Sequence, residues 1–99
     1  MQYTFEWDPA KASSNRQKHG VDFRQAALVF NDPMALTIFD QDSSTSAEDR
    51  WITLGQVNGV HYLVVVHTFR AESAEQTTIR LISARAATRR EIRQYRGES

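Results

Sequence analysis

The dipeptide Asn58-Gly59, set between the apolar runs Trp51 to Val57 and Val60 to Phe69, restricts this chain more than any other feature. A type I′ turn needs positive φ at both central residues. Asn and Gly adopt it at the least cost, and the twist of such a turn matches two antiparallel strands. A hairpin is expected here. The polar stretch Arg70 to Gln76 then reads as a loop and Thr77 to Ser83 as a third consecutive long strand. Consecutive strands in this order make an antiparallel sheet, which needs helices on at least one face to bury its apolar side chains.

The helices are written on either side of the hairpin. Tyr3, Phe5 and Trp7 alternate with polar residues as in a half-buried strand, and Asp8-Pro9 supplies a helix cap followed by a first-turn proline. That helix is expected from Pro9 to Lys18, stopping at Gly20, where a left-handed residue closes it. It is polar, with Lys11, Asn15, Arg16 and Lys18 against Ala10 and Ala12, which places it on the rim of the domain. Asp22 caps a second helix, Phe23 to Phe30, whose Phe23, Ala26, Ala27 and Phe30 form a core-facing stripe. Asn31-Asp32-Pro33 ends it. A strand from Ala35 to Phe39 and a mobile polar loop from Asp40 to Asp49 lead into the hairpin. Ala84 to Arg96 carries helix formers with no Gly or Pro before Gly97. The expected class is α+β, order βααββββα, in one domain over residues 1–99. Two N-terminal helices and a C-terminal helix accompany an antiparallel sheet whose other face is open.

Composition narrows the function classes. Cysteine is absent, which excludes disulfide scaffolds, thiolate catalysis and cysteine-based zinc sites. The longest aliphatic run, Leu63 to Val66, is far below the ~20 residues of a membrane-spanning helix, and Met1 to Asp8 has no signal-peptide pattern. A cytoplasmic protein is expected. The formal net charge is zero but unevenly spread: residues 1–49 carry a net −4, whereas residues 50–99, with eight arginines and four glutamates, carry +4. Five of those arginines lie between Arg85 and Arg96, and the guanidinium fork suits phosphate and carboxylate alike.

The side chains able to do chemistry are few. His67, ending an apolar strand at the sheet's edge, is a candidate acid or base or a histidine bonded to a neighbouring strand. His19, beside Gly20, compensates a helix terminus or positions substrate. His61, next to the turn, reads as surface. On the expected C-terminal helix Arg85, Arg89 and Arg93 recur every four residues, a possible phosphate-binding stripe, while Glu91 either relieves cation crowding or takes part in catalysis. Tyr95 combines a buriable ring with an outward hydroxyl. The scattered histidines make no metal site, and no phosphate-binding glycine loop or nucleophile elbow is present, so neither metal nor cofactor is expected.

Taken in order, Phe5-Glu6-Trp7-Asp8-Pro9-Ala10-Lys11, Asn15, Lys18-His19-Gly20-Val21, Asp32-Pro33, Arg50, Val65-Val66-His67-Thr68 and Arg80-Leu81-Ile82-Ser83-Ala84-Arg85-Ala86-Ala87-Thr88-Arg89-Arg90-Glu91 with Tyr95 strongly resemble the BrnT family of type II toxins. The resemblance spans nearly the whole chain. It implies a fold like that of RelE-type ribonuclease toxins, RNA cleavage that slows translation, and neutralisation by a DNA-binding antitoxin of the BrnA type. Contact with DNA would then come only through that antitoxin. The hydrophilic insertion Arg70 to Gln76 is a departure that bears on substrate access.

Metal-free RNA cleavage needs a base for the ribose 2′-hydroxyl, cations for the charge developing at phosphorus and an acid for the leaving oxygen. On this reading Arg50, Arg80 and Arg85 stabilise phosphate, His67 transfers protons with Glu91 or Tyr95 as alternates, and Lys18, His19, Arg89 and Arg93 hold the RNA. The competing expectation is a non-catalytic module whose C-terminal arginine-rich helix binds RNA or an acidic peptide.

Overall fold

The computed structural model describes residues 2–98. In chain order the elements are strand β1 (Gln2–Glu6), helix α1 (Pro9–His19), helix α2 (Phe23–Ala26) continued by a 3₁₀ turn (Ala27–Asn31), strands β2 (Leu36–Phe39), β3 (Trp51–Val57), β4 (His61–Ala71) and β5 (Gln76–Ala86), and helix α3 (Arg89–Tyr95). The five strands form one sheet in the order β1-β5-β4-β3-β2. The expected α+β order is present. Four strands are antiparallel, and β1 adds to β5 in parallel, Phe5 opposite Ile79.

The turn at Asn58-Gly59 forms with both φ positive, 55° and 70°. Its hydrogen bond runs from the Val60 N–H to the Val57 carbonyl at 3.2 Å. The ladder starts one residue later than expected, with Val57 opposite His61, and Val60 is left 70% exposed. Helix α1 also ends as expected: Asp8 caps it, and Gly20 (φ 71°) donates to the Arg16 carbonyl at 2.8 Å. Only Asn15 of α1 is buried, so the helix lies at the sheet's rim.

Three segments depart from the sequence reading. The second helix stays α-helical for one turn and then tightens, because Val29 crosses Gly55 of β3 so closely that a Cβ there would stand 2.9 Å from the Val29 Cβ. The Asp40–Asp49 segment, read as plain loop, carries structure of its own: a hydrogen bond from Asp40 N–H to the Arg50 carbonyl (2.8 Å), one from Arg50 N–H to Ser44 Oγ (2.8 Å), and the Thr45–Glu48 bridge. The C-terminal helix begins at Arg89, not Ala84. Residues up to Ala86 continue β5 because β4 offers them partners, Ala86 lying opposite Leu63. Thr88 then caps α3, its hydroxyl accepting from the Glu91 N–H while the Glu91 carboxylate accepts from the Thr88 N–H.

Strand β5 also carries an extra residue. Val66 pairs with Ser83 and His67 with Leu81, which leaves Ile82 without an opposite number. The bulge resets the alternation, so Ile79, Leu81 and Ala84 all enter the core with Phe23, Ala26, Val29, Val57, Leu63 and Val65. On the other face Leu54 and Val64 lie buried beside Glu91 and Gln94 of α3. That face is therefore roofed at one end and open elsewhere.

Candidate functional site

Strand β1 leaves the sheet after Glu6, which pairs with Arg80, so the last residues of β5 have no strand on that side. Helix α1 covers the bare edge with a side chain. Asn15 Nδ2 donates to the Ala84 carbonyl at 2.9 Å and to the Val21 carbonyl at 3.2 Å, and the Ala84 N–H donates to Asn15 Oδ1 at 3.0 Å. One amide thus does what a neighbouring strand would do for both polar groups of Ala84. Beside it lies a cleft of about 400 Å³ lined by Ala10, Lys11, Ser14, Lys18 and His19 from α1 and by Ile82 and Ser83 from the bulge.

Further along the sheet, Arg50 and Arg80 meet on one carboxylate. Arg50 Nε donates to Glu48 Oε1 at 3.0 Å, and Arg80 Nη2 bonds Glu48 Oε2. The Arg50 hydrogen bond and the Arg80 charge outweigh partial burial and hold Glu48 below the usual carboxylate range. Glu48 and Arg80 line a second, separate cleft with Arg70, which pairs with Glu72 (2.7 Å) and Glu6 (3.4 Å).

Arg85 projects from β5 and grips Glu91 with two parallel bonds, 2.8 and 2.9 Å. That fork, reinforced by the Thr88 N–H, pulls the Glu91 carboxyl down to about 2 against a burial effect of opposite sign. Arg85 is not part of a helical stripe, because it sits on β5; Arg89 and Arg93 remain exposed on α3. Tyr95 anchors the end of that helix. Its hydroxyl donates to Asp32 Oδ2 at 2.7 Å, which pushes the phenol up to about 12, and its ring packs edge-on to Tyr62. Burial raises the Asp32 carboxyl, but hydrogen bonds from Gln56, Tyr95 and Met34 lower it further.

His67 is in β4, inside the sheet, and not at its edge. It is fully buried between the rings of Phe30 and Phe69, each 4.8 Å away. Nε2 lies 2.7 Å from the Thr53 hydroxyl, which lies 2.8 Å from that of Thr37. Burial drives the imidazole down to about 4, so the ring is neutral at physiological pH and out of a substrate's reach. The expected edge location fails because β4 is an interior strand, and its alternation points His67 into the core with Leu63 and Val65.

The structure thus brings together Arg50 with Arg80, Arg85 with Glu91, and Lys18 with His19, while His67 is buried in the core and the Tyr95 hydroxyl is engaged by Asp32. Sequence reasoning passed over Glu48, which loop composition does not mark. It also missed the cleft role of Lys11 and Ser14, whose spacing from Lys18 places all three on one helical face.

The profile of the BrnT ribonuclease toxins of type II toxin–antitoxin systems matches residues 7–91. The chain belongs to that family. The BrnT fold is seen directly in a similar solved structure, the 1.1 Å crystal structure of the Brucella abortus ribonuclease toxin BrnT, with a TM-score of 0.62 and 23% sequence identity over 90% of this chain and 100% of that one. No curated protein matches the sequence. Membership in the BrnT family carries an RNA substrate and an antitoxin partner with it. Among the described residues no helix is long and apolar enough to cross a membrane.

Proposed function

We propose that this BrnT-family protein is a cytoplasmic endoribonuclease toxin that cleaves RNA without a metal ion and slows translation, and that a BrnA-like, DNA-binding antitoxin neutralises it. The observation that supports this reading most is the arrangement along β5. Arg80 and Arg85 flank Ser83, and Ser83 lines the cleft that holds Lys18 and His19. RNA laid along this strand has cations for its phosphates from Arg50, Arg80 and Arg85, and outer contacts from Lys18, Arg89 and Arg93.

Proton transfer falls to His19. A useful general base is poised near neutral pH and within reach of the substrate. His67 is buried, Glu91 is held at about 2 by Arg85, and Tyr95 is held at about 12 on Asp32. His19 is exposed in the cleft. In the step envisaged, the imidazole takes the 2′-hydroxyl proton, the 2′-oxygen bonds to phosphorus as the P–O5′ bond breaks, and solvent water protonates the departing 5′-oxygen.

Purified protein incubated with total RNA and EDTA tests the reading. Cleavage should persist, and Arg80→Ala or Arg85→Ala should lower it by about 10²–10³ with the circular dichroism spectrum unchanged. His19→Gln should be inactive and His67→Gln active. A folded wild-type protein that cuts RNA only with added divalent metal, or not at all, would refute the proposal. The carboxylates already seated on Arg50, Arg80 and Arg85 favour a second reading, a binding surface without catalysis. RNA retained uncut would support that one. The antitoxin is expected to cover the arginine-rich face, with affinity that weakens as salt rises.

A further inference from the structure

We infer that the cleft between α1 and the β5 bulge is a nucleotide subsite, holding one base and its phosphate of single-stranded RNA. The ribonuclease reading supplies only the choice of ligand; the site itself rests on how the cleft is built. Lys11, Ser14, Asn15 and Lys18 occupy positions i, i+3, i+4 and i+7 of α1 and so share one face. At the centre of that face Asn15 fixes the helix to Ala84 through hydrogen bonds rather than interdigitating apolar side chains. A helix held this way cannot sink onto the strand, and a gap remains beside the anchor.

The bulge furnishes the other wall. Ile82, released from the ladder, and Ser83 both line the gap. The result is an apolar floor at Ile82 with a rim of two ammonium groups, an imidazole and two hydroxyls. A purely structural cleft next to a core would carry apolar helix residues here. Its volume, about 400 Å³, falls in the range of small-ligand sites.

Charge separates this cleft from the rest of the sheet. Arg50, Arg70, Arg80 and Arg85 each hold a carboxylate. Among the described residues neither Lys11 nor Lys18 has an ion-pair partner. An incoming phosphate therefore meets uncompensated cations here, whereas at Arg50, Arg70, Arg80 and Arg85 it must displace a glutamate. The apolar Ile82 beside two ammonium groups suits a base and its phosphate from a single strand, because a duplex keeps its base faces stacked and inaccessible.

The test is a titration of the full-length, isotope-labelled protein with adenosine 3′-monophosphate, followed by amide chemical shifts, with adenosine and inorganic phosphate as separate arms. The nucleotide should perturb Lys18, His19, Ile82 and Ser83 and bind at least about tenfold more tightly than either fragment. A Lys11→Gln/Lys18→Gln double variant should lose about tenfold in affinity, and Arg24→Gln, on another part of the surface, should lose none. Shifts centred on Arg50 and Arg80, equal binding by phosphate alone, or a double variant that binds like wild type would overturn the subsite. Nucleotide bound in this cleft by a protein that cuts no RNA would sink the nuclease reading and leave the subsite standing. RNA cleavage without nucleotide binding here would do the reverse.

Discussion

An imidazole ordinarily titrates near 6.5, and burial holds His67 at about 4 in the folded protein. Between those values the unfolded chain takes up a proton that the native ring refuses, so stability rises with pH across the window. The contribution is complete above pH 6.5 and is lost as pH falls toward 4, amounting to about 3 kcal/mol for a shift of this size. Glu91 acts in a lower window. Its carboxyl is held at about 2, so what the Arg85 pair adds is present above pH 4.5 and fades below it. Urea unfolding at pH 7.5 and pH 5 should separate the two, with most of the loss by pH 5 belonging to His67. His67→Gln, which keeps an acceptor for Thr53, should flatten the curve between pH 4.5 and 6.5. An unchanged slope in that variant would mean that another group controls the acid limb.

At the level of the elements, the 3₁₀ turn packs tightly against β3 at Gly55. A methyl group at Gly55 would stand 2.9 Å from the Val29 Cβ and 3.2 Å from its carbonyl oxygen. Gly55→Ala should therefore cost about 1–3 kcal/mol by overpacking, measured by chemical denaturation. Cutting Val29 to alanine as well should not restore the loss, because the Cβ, carbonyl oxygen and Cα that meet the new methyl all remain. Local chemistry made much of the fold legible in advance: Asn58-Gly59 for the hairpin, Asp8-Pro9 and Gly20 for the bounds of α1, and Asp22 for the start of α2. What stayed hidden depends on distant partners. Ala84-Arg85-Ala86-Ala87 has helix-forming composition, yet β4 draws its first three residues into pairing. Thr88 with Glu91 did spell a capping box, a local sign of the true helix start that residue composition overrode. The site was legible in part for the same reason. The Lys18-His19 pair and the arginines could be named from residue type, but the burial of His67 depends on β4 lying inside the sheet and on Phe30 packing over the ring, and both are set by distant partners.

Across the whole molecule, zero net charge conceals a sheet face where arginines and glutamates are matched locally. Glu48 is the most economical of these matches, since it quiets Arg50 and Arg80 together. Replacing it by glutamine should tighten single-stranded RNA binding by about threefold to tenfold at low salt, and the gain should shrink as ionic strength rises. Filter binding at two salt concentrations reads this directly, and weaker binding by Glu48→Gln would mean that the carboxylate orders the arginines for RNA instead of competing with it. The cleft beside α1 has a different consequence, one that concerns time. Its walls come from opposite ends of the polypeptide, joined through Asn15 and Ala84 across 69 positions. During synthesis the first wall emerges long before the second exists, and no shorter loop can substitute for that late closure. A chain still being made, or one cut short before Ile82, has no such cleft, so a ribosome building this toxin meets a finished one only after its last strand has been delivered.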